Sequence, residues 1–147
     1  MAFLQLQLDG PANEAWHGFK LGKLKDASGA QIQWLTFKFD HPKEPKAVQL
    51  DCQGSTGFDE FKAALPDNES RYGIFNLKYK KGEGDREKVA LLVWAPDASP
   101  VKSRMLIASN KEAFKTNLEG IHVEFQASKH ADAEHEAWID HAKTSLK

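Results

Sequence analysis

Cysteine is almost missing from this chain: Cys52 is the single thiol in 147 residues. One cysteine excludes an internal disulfide and every zinc module built on several cysteines. It fits a reducing compartment. Long apolar runs are also missing. No stretch reaches the roughly 18 residues that a membrane-spanning helix needs. The opening MAFLQLQLDG has neither the basic start nor the apolar centre of a secretory signal. Charge of one sign is lacking too, since 20 Lys and Arg against 21 Asp and Glu leave −1. That speaks against a globally basic nucleic-acid binder, though not against a local basic patch. Internal repeats and low-complexity tracts do not occur, and glycine and proline fall as punctuation rather than as a linker. What is present is ordinary for a globule: 41% hydrophobic and 28% charged residues. A chain of this length can hide about 68–70% of its unfolded surface in one core. A single soluble, cytoplasmic domain over residues 1–147 is expected.

Patterning gives the elements. Leu4, Leu6 and Leu8 alternate with glutamines, an extended arm with one apolar face. Asp9 is placed to cap a helix with Pro11 in its first turn, followed by Ala12, Ala15, Trp16 and Phe19 at helical spacing. Gly22 stops it, and residues 26–30 form a turn. Residues 31–39 read as a strand whose apolar register switches at Trp34 and Leu35, implying a bulge or burial on both faces. After the turn at 41–45, Val48, Leu50 and Cys52 alternate as a second strand. Thr56 is expected to cap a short helix carrying Phe58, Phe61 and Leu65. Residues 71–79 form a third strand and 80–85 a flexible turn. The near-continuous apolar run 89–95 marks a strand covered by helices on both faces. Ser99-Pro100 opens a helix carrying Val101, Met105 and Ala108, and Ser109 to Glu112 makes a capping-box pattern inside it. The apolar stripe then changes phase at Phe114 and Leu118, so one kinked helix or two in tandem are expected. Ile121, Val123 and Phe125 form a last strand. Residues 132–145 form a last helix, with Ala131, His135, Trp138 and Ala142 on one stripe. The expectation is α/β: a mixed central sheet of about five strands between two helix layers.

Few residues suggest catalysis. His135-Glu136 and His141 look superficially like a zinc-protease helix, but that motif needs its histidines four apart and these are six apart. Cys52 is expected on an apolar strand face, where a thiol is inert. Gly82 and Gly84 lie in a hairpin, without the following helix N-terminus that a phosphate cradle needs. Two basic clusters stand out: Lys102, Arg104, Lys111 and Lys115 on the long helix, and Lys78, Lys80, Lys81, Arg86 and Lys88 around the hairpin. Solvation alone accounts for most charged helix faces. From the residues themselves, the chain is a non-enzymatic α/β domain with two candidate anion-binding surfaces and no cofactor or metal.

The segment RYGIFNLKY, then WAPDASPVKSRM with IASNKEAF, then LEGIHVEFQA, closely resembles the ADF/cofilin family of actin-depolymerising proteins. The likeness continues upstream through FDEFKAALPD and the first helix ending KLG, and so covers nearly the whole chain. It implies one ADF-homology domain with a flexible N-terminal arm at 1–9. It also implies binding of actin monomers and filaments, filament severing and depolymerisation, and promotion of turnover in the cytoplasmic actin cytoskeleton. The positions matching the family's monomer-and-filament surface are Leu4, Leu6, Leu8, Lys102, Arg104, Met105, Lys111, Glu112 and Lys115. Those matching its filament-only surface are Lys80, Lys81, Arg86, Lys88, Asp140, His141 and Lys143. Phosphoinositide lipids are implied as inhibitors competing for Lys102, Arg104, Lys111 and Lys115, with the protein acting as a monomer. A coactosin-like or glia-maturation-factor-like relative without severing is the alternative within the same fold.

Departures from the family pattern qualify the regulation. No Ser or Thr precedes Ser28, whereas relatives carry a phosphorylatable serine near the start of the arm. Thr116 and His141 stand where relatives carry basic residues, and the basic nuclear-localisation cluster of vertebrate members is absent.

Overall fold

The computed structural model describes residues 6–41 and 44–144. The elements run α1 (Gly10–Lys20), β1 (Trp34–Phe39), β2 (Val48–Gly54), α2 (Phe58–Ala63), β3 (Arg71–Lys81), β4 (Gly84–Trp94), α3 (Val101–Ser109), α4 (Lys111–Asn117), β5 (Val123–Ala127) and α5 (His135–Thr144). A 3-10 turn at His130–Asp132 precedes α5. One sheet of order β2-β1-β3-β4-β5 holds the domain together. Its pairs are antiparallel except β4 with β5, which are parallel. A parallel pair needs a crossover, and α3 with α4 provides it.

Two cores lie on the two faces. Trp16 and Phe19 of α1, Ile107 of α3, and Phe114 and Leu118 around α4 pack on Leu35, Phe37, Tyr72, Ile74, Leu91 and Val93. Phe58 and Phe61 of α2 and Trp138 and Ala142 of α5 pack on Trp34, Phe75, Leu77, Leu92 and Trp94. The central strands are therefore buried on both sides, as the apolar run in β4 requires. Gly73 lets α2 approach: a Cβ there would stand 2.6 Å from the Phe61 ring.

Local signals mostly act where expected. The Asp9 carboxylate accepts from the Ala12 amide at 2.9 Å and caps α1, and Gly22 follows the helix at φ +70. Several details differ. Residues 6–9 of the arm are tied down: Val48 N–H donates to Gln7 O and Asp9 N–H to Val48 O. Thr56 does not cap α2, since Gly57 holds the cap position without a side-chain bond. Instead the Glu60 carboxylate turns back to accept from Thr56 N–H and from the Trp34 indole. Pro100, not Ser99, is at the cap of α3, and the buried Ser99 hydroxyl donates back to Pro96 O. The hairpin loop is only Gly82-Glu83, because β3 and β4 pair as far as Lys81 and Gly84. Gly82, at φ +65, supplies the positive φ that a tight two-residue turn needs. Ala131 is exposed, and Ala133 takes its place in the core.

Cys52 is exposed rather than buried. The β1–β2 register slips between Thr36 and Phe37: Thr36 faces Cys52 and Phe37 faces Leu50, leaving Asp51 as the extra residue of a bulge. Leu50 therefore joins the α1/α3/α4 core, whereas Cys52 lies opposite Thr36.

The long helix breaks at Asn110, which ends α3 and begins α4. The Ser109–Glu112 capping box does not form; the Ser109 hydroxyl bonds back to Leu106 O. Tyr72, fully buried, donates its hydroxyl to Ile107 O. A foreign donor on a helical carbonyl is a recognised cause of a kink.

Candidate docking surfaces

α3 turns its polar Ser103 and apolar Ile107 inward and presents Val101 and Met105 to solvent, 62% and 65% exposed. These two are four residues apart, one above the other on the same face. Only Leu21 among the other described large hydrophobics is comparably exposed. Ala108 continues the exposed side. Lys102 is exposed beside the ridge and Arg104 is half-buried. The Nε of Arg104 is buried and has no hydrogen-bond partner among the described residues. An apolar centre with a charged rim is the anatomy of a protein-docking patch.

Lys111 and Lys115 do not extend the basic patch freely. Both converge on Glu124 of β5, at 2.9 and 3.0 Å, with Glu112 at 3.9 and 3.8 Å. Burial works to raise the Glu124 carboxyl, but hydrogen bonds from the two lysines outweigh it and hold it below the usual carboxylate range. Glu124 in turn raises the Lys115 ammonium. The expected row of four cations is thus two available ones, Lys102 and Arg104, beside a nearly balanced charge cluster.

Of the arm residues, Leu4 lies outside the described residues. Leu6 is 6% exposed and belongs to the core, so its side chain is not part of a surface. Leu8 is half-buried against the same core. From Leu6 to Leu8 the alternation is real, but the apolar face of these residues meets the domain itself.

The hairpin basics divide between two sheet faces. Leu77 and Tyr79 point to the α5 side, and Lys81, Arg86 and Lys88 share their face by register. Lys81 Nζ donates to Lys143 O at 3.2 Å and Lys88 Nζ to Ala142 O at 2.8 Å. Cations here satisfy the last carbonyls of α5 and oppose the negative end of its dipole. Lys80 faces Asp85 on the opposite side, beside the Lys78–Glu87 pair at 3.7 Å. The structure thus joins the hairpin to the exposed Asp140, His141 and Lys143 through Lys81 and Lys88, but sets Lys80 apart.

The histidines do not converge. His135 stacks on Phe58 at 4.8 Å, His141 stands edge-on to Phe125 at 5.4 Å, and His130 bonds Leu65 O at 2.9 Å. No group of three or more His, Cys, Asp or Glu suited to a metal forms among the described residues. Partial burial and then the Asp51 carboxylate raise the Cys52 thiol, which makes it a poor nucleophile. Among the described residues, no helix is long and apolar enough to cross a membrane.

Sequence reasoning missed Glu124, because a lone acid in a strand gives no signal of the two lysines it will meet. It also missed Asn110, at the bend between α3 and α4, and Asn117, at the end of α4, which grip the arm. A polar Asn at the phase change of an apolar stripe was the available hint.

A five-stranded mixed sheet between helix layers, presenting a greasy ridge with a charged rim, defines a protein-docking domain. The family described as cofilin/tropomyosin-type actin-binding protein matches residues 13–143, and the chain belongs to it. It is 34% identical to actophorin of Acanthamoeba castellanii over 119 residues, 81% of this chain and 86% of that protein. The crystal structure of Streptomyces griseoflavus cofilin superposes with a TM-score of 0.79 at 28% identity, covering 95% of this chain and 97% of that one. Human coactosin-like protein shares the fold at a TM-score of 0.74 and 19% identity, over 97% and 92% of the two chains.

Proposed function

We propose that this domain binds actin monomers and filaments in the cytoplasm, severs and depolymerises filaments, and speeds their turnover as a monomeric protein without enzymatic chemistry. The observation that carries the reading is the exposed Val101–Met105 ridge on α3, with the exposed Lys102 and the half-buried Arg104 beside it. Severing by binding alone requires only that the protein prefer one filament state over another, since differential affinity shifts the population. Lys102 and Arg104, with the ridge, meet both monomer and filament. Lys81, Arg86 and Lys88, with Asp140, His141 and Lys143, meet a second subunit found only in the filament. Lys80 lies on the other side of the sheet and adds little to that surface. Phosphoinositides compete for Lys102 and Arg104, with Lys111 and Lys115 restrained by Glu124.

The test is co-sedimentation, monomer titration and filament imaging with Lys102→Ala/Arg104→Ala. Losing one partner of a desolvated charge pair costs about 2 kcal/mol or more, so affinity for both actin forms should fall at least about thirtyfold. A double variant that binds both forms like wild type would sink the assignment. A wild type that decorates filaments without breaking them would make the protein a side binder.

A further inference from the structure

We infer that Asn110 and Asn117 are positioning residues for actin binding, clamping the N-terminal segment at Leu6 against α4, between the bend at Asn110 and the helix's last residue. The inference rests on the actin-binding reading above and adds to it.

Leu6 N–H donates to Asn110 Oδ1 at 3.2 Å, and Asn117 Nδ2 donates to Leu6 O at 3.4 Å. Asn117 is itself anchored, since the same nitrogen donates to Ala113 O at 3.0 Å. One step along, Gln7 O and Asp9 N–H pair with Val48. Both polar groups of the Leu6 backbone are thus met by side-chain amides, which stand in for the peptide groups of a missing neighbouring strand. Leu6 is nearly buried, and its peptide groups would otherwise lack partners, a costly arrangement.

Asn110 is placed by the bend. It is 1% exposed and is the single residue between the two helices. Its oxygen is fixed by the Leu6 amide, and its side chain also meets the buried Tyr72 hydroxyl. A buried amide is costly unless its bonds are made, and the bond from Leu6 is the one that orients the arm. The clamp point lies at the end of the helix that carries the ridge. Leu6 is therefore held at a fixed place where α3 ends. Ordering done in advance is ordering that association does not have to do.

The test is a double-mutant cycle on the full chain, read by actin-monomer affinity and by amide exchange at Leu6. Asn110→Ala and the less buried Asn117→Ala should each speed Leu6 exchange and weaken monomer binding about five- to tenfold. Leu4→Ala lies in the arm and Lys102→Ala on the helix. If the clamp acts through the arm, Leu4→Ala should cost less in a clamp variant than in wild type. Lys102→Ala should cost the same factor in both. Should Asn110→Ala fail to fold, Asn117→Ala carries the cycle alone. Unchanged affinity with faster Leu6 exchange, or losses that add fully with Leu4→Ala, would overturn the role. A wild type that binds no actin would overturn the functional reading itself, while faster Leu6 exchange would still show that the clamp exists.

Discussion

Glu124 decides what the basic helix can do. Two ammonium groups within 3.0 Å of one half-buried carboxylate are not available to an anionic lipid unless that contact breaks. Glu124→Gln should therefore tighten binding to phosphoinositide vesicles, by about two- to fivefold at low salt, in a vesicle-sedimentation assay. Equal binding by variant and wild type would place the lipid elsewhere. The same substitution should lower stability by about 1–2 kcal/mol, between the values for exposed and fully buried pairs. The sign of its pH dependence follows from the lowered carboxyl. A depressed folded-state pKa contributes stability above the ordinary carboxylate range and loses it as pH falls through that range. The melting temperatures of wild type and variant should thus converge as pH falls from the ordinary carboxylate range through the lowered folded-state value. At this scale the sequence was partly legible. The Asp9 cap follows from local pattern, because a cap needs only neighbours a turn away; the apolar stripe of Val101, Met105 and Ala108 instead faces solvent, an outcome that only the family resemblance anticipated. Glu124 and Asn110 act through partners distant in the chain, and no local pattern encodes such meetings.

Elements fail or hold through a few close approaches. α2 rests on β3 where Gly73 leaves room for Phe61, so Gly73→Ala forces overlap into a packed core. Such overpacking costs about 1–3 kcal/mol, and thermal unfolding should show it without loss of the ridge. The α3–α4 break is held by the Tyr72 hydroxyl on Ile107 O. Tyr72→Phe should cost about 0.5–1.5 kcal/mol for the lost bond and increase amide exchange around the bend. An unchanged exchange pattern would mean that Asn110 alone sets the break. Strand and helix order were readable because periodicity is local. The phase change at Phe114 announced the break but left a kinked helix and two helices equally open. The bulge at Asp51 stayed hidden, since alternation of Val48, Leu50 and Cys52 looks unbroken in sequence. It takes β1 alongside to show that one residue is extra.

The molecule as a whole places its two candidate surfaces apart: the ridge on α3, and the joined hairpin and α5 terminus on the other face of the sheet. Neutralising Lys81 and Arg86 should weaken filament binding and severing while sparing the monomer. Exposed charges act through screened attraction, so added salt should mimic the loss in wild type. Equal loss of monomer binding would show the two surfaces to be one. This division was legible only through the family resemblance. The hairpin charges look like a single cluster in sequence, and the pleat is what sends Lys80 to one side and Lys81 to the other.

The bulge that turns Cys52 outward also makes the chain ready for single-site labelling. The register runs in one row from Cys52 through Thr36, Gly73 and Leu92 to Phe125, against which the His141 ring lies. Four strand spacings separate the ends of that row, roughly 19 Å. A maleimide dye on the natural thiol would therefore watch α5 meet a filament from a fixed remove, without any engineered cysteine. Because the thiol is raised, coupling should be slow at neutral pH and quicken about tenfold per pH unit while it remains protonated. Mass spectrometry should then find one adduct per chain.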